Sequence, residues 1–235
     1  MAGNAAALEG SERLWRWNLG LFPFESRRRL LDVGCGPCLY WREIVRLDPA
    51  LYLATDVSEA FLTEASRRLA GLVPVRTRVL DLVNWEPDAW WEEQRVDDAL
   101  CFDVLEHVED DRRAAARLAA LLRLTGARRA FVRVPALPAI YGRTDAAIGH
   151  FRRYTRRSLG ALLEGAGLRP VRVVYQNLAG ILPWLVAGRL LRRERAVSGS
   201  EGRLFDAAVP VLSRIERLVP PPLGLSLSAT CELRP

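Results

Sequence analysis

The chain has 235 residues, half of them hydrophobic, which suffices for one compact domain with a sizeable core and leaves no room for a second full one. Its formal charge of +6 comes from 34 arginines and no lysine. The arginines are scattered and lack interleaved aromatics, so no nucleic-acid partner is expected. Four cysteines, Cys35, Cys38, Cys101 and Cys231, sit in or beside apolar segments, which suits a reducing cytoplasm.

In chain order, "MAGNAAALEG" has neither the basic start nor the apolar core of a signal peptide, so a cytoplasmic location is expected. The aromatic stretch "RLWRWNLGLFPF" follows, read as a helix laid over a ligand cleft, with residues 1–26 as an N-terminal cap. "RLLDVG" is a strand, followed by a helix from about Leu39 to Leu47. "LYLATD" is a second strand, and Ser58 caps a helix that ends at Gly71. "VPVRTRVLDL" is a third strand. "VDDALCFDVLEHV" contains a fourth, leading to a helix from Asp110 to Leu124, and "RRAFVRVP" is a fifth, stopped by Pro135.

Repeated strand–helix alternation predicts a doubly wound, mainly parallel sheet with helices on both faces, in one domain over residues 1–235. Such sheets bind ligands at the carboxyl ends of their strands. Residues 135–155 are too long and too polar for an ordinary connection, and 178–218 read as helix interrupted at "VSGSEG"; both are expected to be insertions on the substrate side. The longest apolar run, Leu178 to Gly188, is too short to span a bilayer and contains a proline, so no stable membrane insertion is expected. The neighbouring arginine-rich stretch reads as a solvated helix, although it has the composition for weak contact with anionic lipid.

The segment "LLDVGCGPC" places Asp32 two residues before Gly34 and four before Gly36. A pyrophosphate on this turn would meet repulsion from Asp32 of a few kcal/mol, on the order expected at short range and low dielectric. S-adenosylmethionine has no phosphate and carries an ammonium and a sulfonium, which Asp32 attracts. On these residues the sequence resembles the class I S-adenosylmethionine-dependent methyltransferases, whose first motif reads acid, x, Gly, x, Gly. The resemblance continues through "ATDVS", "VLDLVNW" and "FDVLEHVEDD", in the family's order.

The resemblance implies a Rossmann-like, seven-stranded fold with S-adenosylmethionine as cofactor and S-adenosylhomocysteine as product. It implies cofactor contacts from Asp32, Gly34, Cys35, Gly36, Asp56, Val57, Asp81, Leu82 and Asp103, with Asp56 gripping the ribose hydroxyls and Asp81 near the adenine. The competing structural roles are a helix cap for Asp56, a turn for Asp81, an ion pair or cap for Glu106, and loop packing for His107. Cys35 and Cys38 have the two-residue spacing of a redox or zinc pair. No second pair follows, so they read as buried small hydrophobes and no metal is expected.

From Val134 onward the chain resembles a bacterial branch of that family marked by "VPA", "YG" and "GH.RRYT", whose members act on small molecules or glycan-linked substrates. Trp15, Tyr141, Asp145, Arg153 and Tyr154 are the expected substrate contacts, with Arg152 and Arg153 bracing the loop through Asp145. His107 and His150 are the candidate bases, and Tyr175 and Asn177 could reach over the cleft. The implied reaction is methylation of a small-molecule or natural-product acceptor at oxygen, nitrogen or carbon, by a monomer or homodimer. Two alternatives stand beside it. One is cyclisation of the cofactor itself to azetidine-2-carboxylate with release of methylthioadenosine, behind an aromatic lid of Trp15, Trp17, Tyr175 and Trp184. The other is a binding module without catalysis.

Overall fold

The computed structural model describes residues 11–191 and 199–234. Seven strands, β1 (Arg29–Val33), β2 (Leu51–Asp56), β3 (Val75–Val79), β4 (Asp98–Phe102), β5 (Arg129–Pro135), β6 (Leu168–Gln176) and β7 (Ser226–Leu233), form one sheet in the order β3-β2-β1-β4-β5-β7-β6. The first five run parallel. β7 inserts antiparallel between β5 and β6. β2 and β4 are buried at every residue, as central parallel strands covered on both faces must be, and they read accordingly as nearly continuous apolar runs. The order reverses between β1 and β4, which places a crevice at the carboxyl ends of those two strands.

The helices are α1 (Glu12–Leu19), α2 (Trp41–Leu47), α3 (Glu59–Leu69), α4 (Ala89–Glu93), α5 (Asp111–Thr125), α6 (Arg143–Ala147), α7 (Arg156–Gly165), α8 (Ile181–Leu185) and α9 (Gly199–Leu218). Because successive strand residues face opposite sides, Leu31 and Val33 join a core with Leu118 and Leu122 of α5 and Leu159 and Leu163 of α7. Leu30 and Tyr52 join the other core, with Ile44 of α2, Leu62 and Leu69 of α3, and Trp15 and Leu19 of α1.

Local chemistry explains the boundaries. Ser58 Oγ accepts from Phe61 N at 3.3 Å and starts α3. Asp110 does the same for α5 through Arg113 N at 2.9 Å, and Gly126 at φ 82° ends that helix. The predicted helix at Leu39 begins instead at Trp41. β3 is shorter than predicted because Asp81 accepts from Val83 N and turns the chain. α4 was not read from the sequence. β6 pairs with β7 along Leu168–Gln176, and Asn177 at φ 65° turns out of it. Of the expected interruption at 197–202, residues 197 and 198 lie outside the described residues, and α9 is helical from Gly199. Among the described residues no helix is long and apolar enough to cross a membrane.

Candidate cofactor and acceptor site

β1 delivers its carboxyl end into the turn Gly34 to Cys38. Gly34 N and Cys35 N both donate to Thr55 O, at 2.8 and 2.9 Å, which ties the turn to β2. Gly34 has φ 74°, and a Cβ there would stand 2.5 Å from Val104 Cγ2, so both conformation and space demand glycine. Gly36, at φ 54°, differs. A Cβ built there meets nothing within 4 Å, so open space lies over the backbone at this point. Cys38 holds a left-handed φ of 51° without being glycine and is fully buried. Burial is the main force raising both neighbouring thiols, Cys38 to about 12, so neither is a thiolate at neutral pH.

Asp32 is wholly buried beneath this turn. Its Oδ2 accepts from Tyr40 Oη at 2.6 Å and from Tyr52 Oη, while Oδ1 has no protein partner. Desolvation lifts the carboxyl to about 6 despite the two phenols, and the charge of Asp56 adds to the rise. A buried carboxylate oxygen without a donor favours a cation nearby. Tyr40 and Tyr52 were missed in the sequence. The available signal was a tyrosine within the apolar run "LYLATD", two positions along the strand face from the register partner of Asp32.

Asp56 closes the other side of the turn: Oδ2 accepts from Gly36 N and Oδ1 from Ser58 N, both at 2.9 Å. It therefore clamps the glycine turn and also supports the start of α3, and each oxygen keeps a further lone pair. Val57 beside it is 67% exposed, an apolar lip on the crevice. Asp81 is engaged by Val83 N, Asn84 N and Asn84 Nδ2, bonds that lower its pKa, and Leu82 is buried. Asp103, at φ 55°, pairs with Arg133, whose Nη2 also donates to Ser226 Oγ at 3.1 Å.

α1 lies on this end of the sheet. Trp15 packs on Tyr40 with ring centroids 5.1 Å apart, and its Nε1 is buried without a partner. Phe22 stacks on Phe102 at 5.3 Å. The segment is anchored by Asp206 Oδ1 on Leu14 N, by Gln176 Nε2 on Asn18 Oδ1 at 2.6 Å, and by Arg172 Nη1 on Leu21 O at 2.7 Å. One surface cavity, of about 450 Å³, is lined by Val96, Asp97 and Thr125 at the amino ends of the strands, and another, of about 550 Å³, by Leu39, just after the glycine turn, with Glu12, Trp41 and Arg42.

The second cluster gathers beyond β4. Phe151 N donates to Glu106 O at 2.8 Å, and His107 Nδ1 lies 3.2 Å from Gly149 O, so residues 149–151 are stitched to the 106–107 turn. This brings His150 beside His107, ring centroids 4.7 Å apart. His150 Nδ1 lies 3.0 Å from Asp145 Oδ1. Asp145 also accepts from Arg153 Nε at 2.7 Å, Gly142 N at 3.0 Å and Trp184 Nε1 at 3.2 Å. Glu106 is fully buried with neither carboxylate oxygen hydrogen-bonded among the described residues, and His150 Nε2 stands 3.8 Å from Oε1. Burial drives the Glu106 carboxyl upward and the His107 imidazole downward.

Several expected contacts have internal partners. Tyr154 is buried and donates to Asp111 Oδ2 at 2.9 Å, and Tyr141 Oη donates to His150 O at 2.7 Å. Arg153 braces Asp145 and donates to Ala136 O, whereas Arg152, expected on Asp145, pairs with Asp111 at 2.8 Å. Tyr175 lies against Arg156 at the start of α7, on the strand face opposite Gln176 and α1. Asn177 Oδ1 accepts from Gly180 N and caps a turn. The structure thus brings Asp32, Gly34, Cys35, Gly36 and Asp56 together, and separately His107, Asp145, His150 and Arg153, but brings Tyr175 and Asn177 to neither group.

Comparison with known proteins matches this geometry. A family model described as a methyltransferase domain matches residues 31–127. The fold resembles an S-adenosylmethionine-dependent methyltransferase from Mesorhizobium loti (TM-score 0.61, 14% identity, 94% of this chain and 97% of that one). It resembles magnesium protoporphyrin IX methyltransferase from Synechocystis with bound S-adenosylhomocysteine (0.55, 15%, 97% here and 83% there) only in the sense of a shared fold. The [4+2]-cyclase SpnF shares it as well (0.58, 17%, 95% and 81%). No curated protein sequence matches the chain. The open space over Gly36 and the unpartnered oxygen of Asp32 fit a cationic nucleoside without phosphates; the chain has the Rossmann-like fold of the class I methyltransferases, the methyltransferase-domain match spans β1 to α5, and the cofactor is S-adenosylmethionine.

Proposed function

We propose that this chain transfers a methyl group from S-adenosylmethionine to a small-molecule acceptor. The observation that carries the reading is the open space over Gly36, whose N donates to Asp56, in a turn that follows the strand holding the buried Asp32. When bound, the cofactor supplies a methyl carbon already activated by its sulfonium. Asp32, Gly34, Cys35 and Gly36 hold its amino-acid end, Asp56 the ribose, and Val57, Asp81, Leu82 and Asp103 line the rest of its site. The chain's remaining task is to position a nucleophile and exclude water. α1, with Trp15, covers the crevice and serves the second task. On the acceptor side, the Gly149 carbonyl can accept only from a protonated His107 Nδ1, which leaves the lone pair of the neutral ring on Nε2 as the candidate proton acceptor. Cyclisation of the cofactor draws less support, because Tyr175, a member of its aromatic lid, accepts from Arg156 N at the start of α7 and Asn177 caps a turn.

Calorimetry with S-adenosylhomocysteine tests the binding step. Asp56→Ala should weaken affinity by about 1–3 kcal/mol, the range for charge-assisted hydrogen bonds. Unchanged affinity would remove Asp56 from the ribose. Incubation with S-adenosylmethionine then separates the reactions, since methyl transfer leaves S-adenosylhomocysteine and cyclisation leaves methylthioadenosine.

A further inference from the structure

We propose that Glu106, His107 and His150 form a binding site for a divalent first-row transition-metal ion. One donor atom from each of the three lies within 4.8 Å of the others. Ligands held 2.0–2.1 Å from an ion stand about 3 Å apart, so closure requires shifts of about 1 Å in side chains alone. Two imidazoles and one carboxylate suit zinc, iron, cobalt or manganese better than magnesium or calcium, which prefer oxygen-only sets.

Two further observations point to a ligand. Glu106 is fully buried, and neither of its oxygens has a hydrogen-bond partner among the described residues, a costly arrangement for a buried carboxyl. Both imidazoles are already oriented as metal-bound histidines are: His150 through Asp145 and His107 through the Gly149 carbonyl, each by its Nδ1. An acceptor on Nδ1 fixes the neutral tautomer with its lone pair on Nε2, and this outer layer of carboxylate and carbonyl partners accompanies metal-binding histidines. An ion held there would take the His107 Nε2 lone pair that otherwise serves as base. The cluster follows the carboxyl end of β4, next to β1 in the sheet, so the ion would lie on the crevice side of the fold.

The test uses the full chain stripped with a chelator and dialysed. Titration with Co²⁺ should fill one site per chain and give ligand-field bands in the visible, and Zn²⁺ should displace the ion and abolish them. His107→Gln alters a partly exposed ring and should lower Co²⁺ affinity at least tenfold with an unchanged melting temperature; Glu106→Gln should do the same where it folds. Absence of a stoichiometric site in the wild-type chain, or equal affinity in His107→Gln, would overturn the assignment. S-adenosylhomocysteine binding measured on the metal-free chain reports on the cofactor site alone, so loss of one property is distinguishable from loss of the other.

Discussion

Asp32 answers to two opposing demands. Folding buries it, which favours the protonated form, while a cationic ligand beside Oδ1 favours the ionised one. The sign follows from its value of about 6, raised from 3.8 mainly by burial. Above pH 6 the carboxylate is ionised in both the folded and unfolded chain, and its burial costs about 3 kcal/mol at 1.36 kcal/mol per unit. As pH falls from 6 towards 4 the folded form takes up the proton first, and this cost recedes. Cofactor affinity should move the other way, weakening as pH drops through 6, because the charge that attracts the sulfonium and ammonium is lost. Calorimetry from pH 5 to 8 should show that dependence in the wild-type chain and lose it in Asp32→Asn; an identical profile in both would exclude Asp32 as its source. The acid and its two glycines were legible in "LLDVGCGPC" because their spacing is local. Tyr40 and Tyr52 were not, since one lies beyond the turn and the other on the neighbouring strand.

Among the elements, the loop from Pro138 to Tyr154 is held by charge as much as by packing. Asp145 and Arg153 are a buried pair, with side chains 0% and 1% exposed, and Asp145 also receives His150, Gly142 and Trp184. Removing one partner leaves a buried charge uncompensated, which typically costs 3–5 kcal/mol. Arg153→Met should therefore lower unfolding stability by about that amount in urea, far more than Arg169→Met, whose partner Glu232 is exposed. Equal losses would show that the loop does not depend on the buried pair. The sequence announced this loop through its length and polarity, and Thr155, whose Oγ1 accepts from Ser158 N at 3.0 Å, caps α7 where the loop ends. It did not announce that His150 meets Glu106. That meeting depends on Gly149 at φ 85°, on the backbone bond from Phe151 N to Glu106 O and on the contact of His107 Nδ1 with Gly149 O, 42 positions away, and none of these leaves a local signature.

For the whole molecule, the parallel half of the sheet was readable because its buried strands are short apolar runs alternating with helices, two of which begin at the caps Ser58 and Asp110. β7 was harder: "SLSATCEL" alternates polar and apolar residues throughout, but nothing local places it between β5 and β6, which depends on pairing with two strands far back in the chain. The same limit applies to the cover over the crevice. "RLWRWNLGLFPF" showed an aromatic helix, but its position is fixed by Asp206 of α9 and by Arg172 and Gln176 of β6, all more than 150 residues away. A helix tied down by so few polar bonds, with Trp15 Nε1 unsatisfied, should open more readily than the sheet beneath it. A ligand seated between α1 and the Gly36 turn can bind only when that cover is in place, so binding should stabilise the closed form. Hydrogen exchange of residues 12–24 should slow when S-adenosylhomocysteine is added, while the central strands β1 and β4, already protected, should change little. Exchange in 12–24 that is the same with and without ligand would mean that α1 packs on the core independently of the cofactor, and that water is kept from the crevice by another part of the chain.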